Sequence, residues 1–144
     1  MTAPGRMREV AQNIDAFGQH LFQIFGQGTA PGFTYTIGNA DRGLPELLLI
    51  GDFPSRIAAG LLNELGAKMR EDGKPLATGL IDIGWSIPVK IRRTGPLART
   101  RYTIQVNRYL GHDCYSVLQV MVCDENGRYP GDPGCDHRYD VDRP

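Results

Sequence analysis

The stretch PGFTYTIGNADRGLPELLLIGDFP, residues 31–54, alternates, breaks and then runs apolar, and these three behaviours decide the fold. Phe33, Tyr35 and Ile37 alternate with Thr34 and Thr36, all strong strand formers, and Gly38 ends the run; the expectation is a half-buried strand. The turn-rich NADRGLP separates it from Leu47, Leu48, Leu49 and Ile50, a short and uniformly apolar block suited to a central strand covered on both faces. Asp52, Phe53 and Pro54 then open a helix, because proline is tolerated in a first turn whose amide has no partner.

Working outward, Val10, Ile14 and Phe17 have helical spacing and Gly18 follows them, which predicts a helix over 6–17. Residues 19–25 change to a short period, with His20, Phe22 and Ile24 opposite Leu21 and Phe25, as in a strand covered on both sides that pairs with 33–37 as a hairpin. Ile57, Leu61, Leu62, Leu65 and Met69 predict the longest helix, ending at Gly73, with Gly60 and Gly66 marking close packing. Ile87, Val89 and Ile91 alternate, but Pro88 cannot donate to a ladder and points to an edge or a bulge. Residues 99–110 fit a strand or a helix, with helix preferred because Tyr102, Val106 and Tyr109 share one helical face before Gly111. YSVLQVMVC, 115–123, is a second central strand, and 131–144 is irregular turn chemistry beyond a core of about 6–130. Strand and helix do not alternate regularly. The expected fold is therefore a single α+β domain: a mixed or mostly antiparallel sheet of about four to six strands with two or three helices on it.

Composition sets the outer limits. A chain of 144 residues with 41% hydrophobic and 22% charged residues is ordinary globular material for one core. Sixteen basic and sixteen acidic residues cancel, so no global field favours nucleic acid or a membrane. No apolar run reaches the roughly 18 residues a membrane span needs, and the first residues lack the apolar stretch of a signal peptide, so the expected location is the cytoplasm. Cys114, Cys123 and Cys135 are odd in number and lack a C-x-x-C pair, which argues against a disulfide framework and a closed zinc site. No metal or cofactor is expected.

The blocks NIDAFGQHLFQIFG, PGFTYTIGNADRGLPELLLIGDFP and YSVLQVMVCDENGRYPGDPGCD, with a Leu-rich helix between the last two, resemble the bacterial family known only as domain of unknown function 4262, common in actinobacteria and their phages. The resemblance covers most of residues 13–136 and singles out Tyr35, Thr36, Gly38, Pro45, Glu46, Gln119, Asp124, Gly127 and Pro130. It implies no activity. Two positions depart from the usual pattern, Gln19 and Gly131 standing where tryptophans are often found.

Tyr35, Thr36 and Glu46 sit at the ends of apolar strands, where a carboxyl beside a buried run can serve as a general acid or base, with Asp124 as its partner. The structural alternative has Glu46 bonding backbone amides of the NADRG loop and Asp124 opening the turn before Asn126-Gly127. Gln119 is the one strongly polar side chain in its strand and must find partners, in a pocket or in loop backbone. Lys90, Arg92, Arg93, Arg99, Arg101 and Arg108 form a basic stretch without acids, interleaved with Tyr102 and Tyr109; it can meet an anion, or be balanced by the seven acids from Asp113 to Asp142. Asp132, Cys135 and His137 are too few and too mixed for a metal. No phosphate loop, nucleophile elbow, H-E-x-x-H or dinucleotide fingerprint occurs.

The chain thus reads as a small cytosolic binding module, with Tyr35, Thr36, Glu46, Gln119, Arg92 and Arg101 as ligand-binding candidates for an unknown small molecule, anion or protein. The alternatives are a small hydrolase-like enzyme using Glu46 and Asp124, and a phage or host regulatory protein acting by protein contact. Nucleic acid is allowed but not favoured, a membrane is not expected, and a homodimer is compatible with these features.

Overall fold

In the computed structural model, which describes residues 4–144, the chain forms a six-stranded mixed sheet with helices on both faces. Helix α1 (Pro4–Phe17) leads through Gly18 into β1 (His20–Ile24), which pairs antiparallel with β2 (Phe33–Ile37) in the expected hairpin. After a short 3-10 turn, Ala40–Arg42, come β3 (Glu46–Ile50) and α2 (Ser55–Asp72), which Gly73 caps in a left-handed conformation. Strands β4 (Gly79–Ile81) and β5 (Val89–Arg93) follow, then a π turn over Ala98–Tyr102, α3 (Ile104–Leu110) and β6 (Val117–Met121).

The spatial order is β1-β2-β3-β6-β5-β4. Only β3 and β6 run parallel, Glu46 opposite Val117 and Leu48 opposite Gln119, and these two apolar strands are buried throughout. One face packs Leu47, Leu49, Ile91, Leu118 and Val120 on Leu61, Leu62, Leu65 and Met69 of α2. The other packs Phe22, Tyr35, Ile37, Leu48, Ile50 and Val117 on Val10 and Ile14 of α1, with Ala98 and Val106. Burial of this kind contributes about 25 cal/mol per Å² of apolar surface, so each fully covered Leu or Ile stabilises by roughly 1.5–3 kcal/mol.

Four local expectations are corrected. β2 is not half-buried: Thr34 and Thr36 are covered too, because α2 closes the face they occupy. β1, the outer strand, packs Leu21 and Phe22 on the two faces but ends at Ile24, so Phe25, which the short period placed on the strand, lies beyond it and is 75% exposed. β5 is interior, since Pro88 stands one residue before the ladder and costs it no donor; β4, only three residues long and too short to show a period, takes the edge. Gly60 marks no close approach, the nearest atom to a side chain there being Trp85 Cζ2 at 3.9 Å, whereas Gly66 does. Residues 131–144 contain no helix or strand, yet they lie against the domain, with Val141 on the α1 side of the core and Pro144 buried.

Candidate functional site

The strand registers sort the candidate residues. Tyr35 lies opposite Leu48, Leu48 opposite Gln119, and Gln119 opposite Arg92, so these residues form one row across the sheet on the face beneath α1 and α3. Thr36 and Glu46 gather at the end of the sheet where β3 and β6 begin. Asp124 lies three residues beyond the other end of β6.

Glu46 is fully buried and all its bonds are internal. Oε1 accepts from Thr36 Oγ1 at 2.8 Å and Asn39 N at 3.2 Å; Oε2 accepts from Gly38 N at 3.0 Å and Ala40 N at 2.9 Å. The carboxylate thus clasps the NADRG loop, as the structural alternative anticipates. Burial pushes its pKa up, and the amide and hydroxyl donors pull it back. Gly38 sits at φ 122°, and a Cβ there would press on Ile14, so the clasp requires glycine at that position. Behind the clasp, Asn39 Nδ2 donates to Gln19 Oε1 at 3.0 Å, and Arg70 donates to Gln19 Oε1 at 2.7 Å and Asn39 Oδ1 at 2.8 Å. Gln19, where a tryptophan was expected, is the centre of this polar network, and Gly66 leaves room for its carboxamide.

Asp124 is engaged just as fully: Oδ1 accepts from Asn126 N and Arg128 N, each at 2.9 Å, and Oδ2 from Asp136 N at 2.8 Å. These backbone donors, with Asp136 first, hold its pKa below the usual carboxylate range. The length of β6, four steps of about 3.3 Å or about 13 Å of backbone, separates the level of Glu46 at the start of β3 from the end where the Asp124 turn begins. Carboxylate pairs that work on one bond stand roughly 5–9.5 Å apart. The structure does not bring Glu46 and Asp124 together.

Gln119 and Arg92 do meet. Gln119 is fully buried; its Oε1 accepts from Arg92 at 3.0 Å, while Gln119 Nε2 donates to Asp142 O and Arg92 to Pro144 O, both at 2.8 Å. Gly95 N also reaches Pro144 O, at 3.3 Å. Arg92 opens on its outer side into a cavity of about 580 Å³, shared with Arg143, Asp140 and Asp142. Burial, then the neighbouring Arg143, lower the Arg92 pKa, with Asp142 opposing. Gly131, the second departure from the family pattern, is covered by the Arg143 guanidinium so closely that a Cβ would collide with it.

The other candidates take separate places. The Tyr35 hydroxyl accepts from Gln105 N at 3.2 Å beneath α3. Arg101 is exposed on the π turn and does not line the Arg92 cavity. Tyr102 and Tyr109 spend their hydroxyls on Asp142 at 2.8 Å and Asp41 at 3.0 Å, and the Tyr102 ring packs edge-on against Phe33, so the basic stretch offers no row of free aromatic faces for bases. Its cations are divided too, because Arg92 and Arg93 point to opposite faces of β5. The sequence reading missed the partners contributed by 140–144, since nothing local says that an irregular segment returns to the sheet. The acids balancing the basic stretch were its one legible sign.

The chain belongs to the family described as Domain of unknown function (DUF4262), whose model matches residues 13–136. No curated protein and no solved structure matches it. Among the described residues no helix is long and apolar enough to cross a membrane, and no group of three or more His, Cys, Asp or Glu residues is placed to hold a metal ion.

Proposed function

We propose that this chain is a small binding module of the bacterial or phage cytoplasm that acts by contact with an extended peptide segment, and that Gln119 and Arg92 form its binding face. One observation carries this reading. Two side-chain donors, adjacent across β5 and β6, reach main-chain oxygens two residues apart, those of Asp142 and Pro144. In an extended chain carbonyls i and i+2 point the same way, so this spacing suits peptide backbone of any sequence. The buried Gln119 amide is held by Arg92 and needs no rearrangement to donate, and the adjoining cavity leaves room for a ligand's side chains. A hydrolase centred on Glu46 and Asp124 is not favoured, because each carboxylate is spent on loop backbone and they stand apart.

Residues 140–144 occupy this face in the free protein, so a partner peptide must displace them. A tethered segment competes at an effective concentration on the order of millimolar, which hides the intrinsic affinity. Tyr102→Phe removes the hydroxyl that holds Asp142 while leaving Gln119 and Arg92 in place. Fluorescence polarisation with a labelled peptide DHRYDVDRP, the sequence of residues 136–144, should show binding to full-length Tyr102→Phe about five- to tenfold tighter than to the unaltered chain, the effect of losing one solvent-exposed hydrogen bond of about 1–1.4 kcal/mol. Adding Arg92→Ala should abolish it. Absence of binding to Tyr102→Phe at millimolar peptide, or binding indifferent to Arg92→Ala, would overturn the reading.

A further inference from the structure

We infer that a second site, on the opposite face of β5 from Arg92, takes a small organic anion: a phosphate or carboxylate carried on an apolar body. The site is a cavity of about 570 Å³ at the end of the sheet where β3 and β6 begin, bounded by the segment that leads from α2 into β4. It exists because the strands there are unequal. β4 starts at Gly79, which pairs with Ile91, so β5 runs two residues beyond its neighbour, and residues 75–78 diverge from it instead of continuing the ladder. Pro75 and Pro45 both line the gap, and neither has an amide N–H to close it.

The chemistry of the lining is specific. The Arg93 side chain is exposed in the cavity and, among the described residues, takes part in no ion pair or hydrogen bond of its guanidinium, unlike Arg70, Arg92, Arg99, Arg128 and Arg138. Thr78 and Ser116 line the same space, and the hydroxyl of neither has a partner among the described residues. One guanidinium fork and two hydroxyls carried by the lining of one concave surface are a donor set for an oxyanion, with no carboxylate in the lining to compete. Beside them Leu76 and Leu118, both from the α2 side of the core, supply an apolar wall for the rest of the molecule. The walls are held in place beforehand: Thr94 N and Oγ1 both donate to Val117 O, at 3.3 and 2.8 Å, and Ser116 O accepts from Glu46 N at 3.0 Å. The Glu46 clasp therefore also positions Pro45, the residue before it, at the mouth of the cavity.

This site is independent of the peptide face and tested without it. Phenyl phosphate, benzoate and inorganic phosphate would each be titrated into the full-length chain at low salt and followed by amide NMR. The expected result is saturable shifts of the Thr78, Thr94 and Ser116 amides with phenyl phosphate or benzoate, whichever anion the site prefers, and at least about tenfold weaker binding of inorganic phosphate, which lacks the apolar body. Arg93→Gln, a change at an exposed side chain, should weaken binding about tenfold or more, whereas Arg101→Gln, which removes an exposed cation elsewhere, should not. Shifts absent up to about 10 mM with all three probes would mean that the cavity holds no anion, and equal losses in the two variants would mean that only the net charge was read.

Discussion

Glu46→Gln tests the central claim about the buried carboxylate, because it keeps the shape and removes only the acceptor pattern. Each oxygen of Glu46 receives two donors: Thr36 Oγ1 and Asn39 N on one, Gly38 N and Ala40 N on the other. A glutamine has one such oxygen, and its NH₂ must face the other pair. The cheaper orientation turns the NH₂ toward Thr36 and Asn39, because a hydroxyl can rotate and an amide cannot. Yet Thr36 Oγ1 already accepts from Leu47 N and Asn39 Nδ2, so it has little capacity left. One or two buried donors are stranded, at roughly 1–3 kcal/mol each. Relief of the buried charge returns part of this, and the expected net loss is about 2–4 kcal/mol, or about 4–16 °C in Tm for a domain of this size. Urea unfolding at unchanged m-value measures it, and hydrogen exchange should show Gly38, Asn39 and Ala40 losing protection ahead of the core. A loss below about 0.5 kcal/mol, or a variant whose loop amides stay as protected as before, would refute the view that Glu46 is a clasp.

Two glycines of α2 should respond with opposite signs to the same change. Gly60→Ala meets nothing closer than 3.9 Å and should stabilise by up to about 1 kcal/mol through helix propensity, while Gly66→Ala drives a methyl into Gln19 and should destabilise by about 1–3 kcal/mol despite the same propensity gain; equal effects in thermal unfolding would contradict the packing described here. The Asp124 anchor should be pH-dependent. Its pKa is depressed by backbone donors, so its hold on the Asp136 amide is fully present above the ordinary carboxylate value of 3.8 and is lost as pH falls through the lowered folded value. Amide shifts of Asn126, Arg128 and Asp136 followed from pH 6 to about 2 should move together below that ordinary value. Movement centred above it would show that the anchor is not formed.

Much of the chain's local structure was written in its residues. The alternation of 33–37, the apolar block 47–50, the helical spacing of 57–69 and the buried strand at 117–121 all follow from which atoms must leave water together, and each repeats within a few residues. The same local logic foresaw that Glu46 would hold loop amides, because a strand end followed backwards by a turn leaves N–H groups needing an acceptor. What it could not supply was anything set by residues distant in sequence. That β3 lies parallel to β6, that β5 is interior and β4 takes the edge, that Glu46 and Asp124 stand at opposite ends of the sheet, and that 140–144 returns to Gln119 and Arg92 depend on pairings across tens of residues. Side-chain periodicity names the face a residue shows; it does not name the neighbour that face will meet. That is decided when the whole sheet closes around its two layers of helices, and the candidate sites are made of such neighbours.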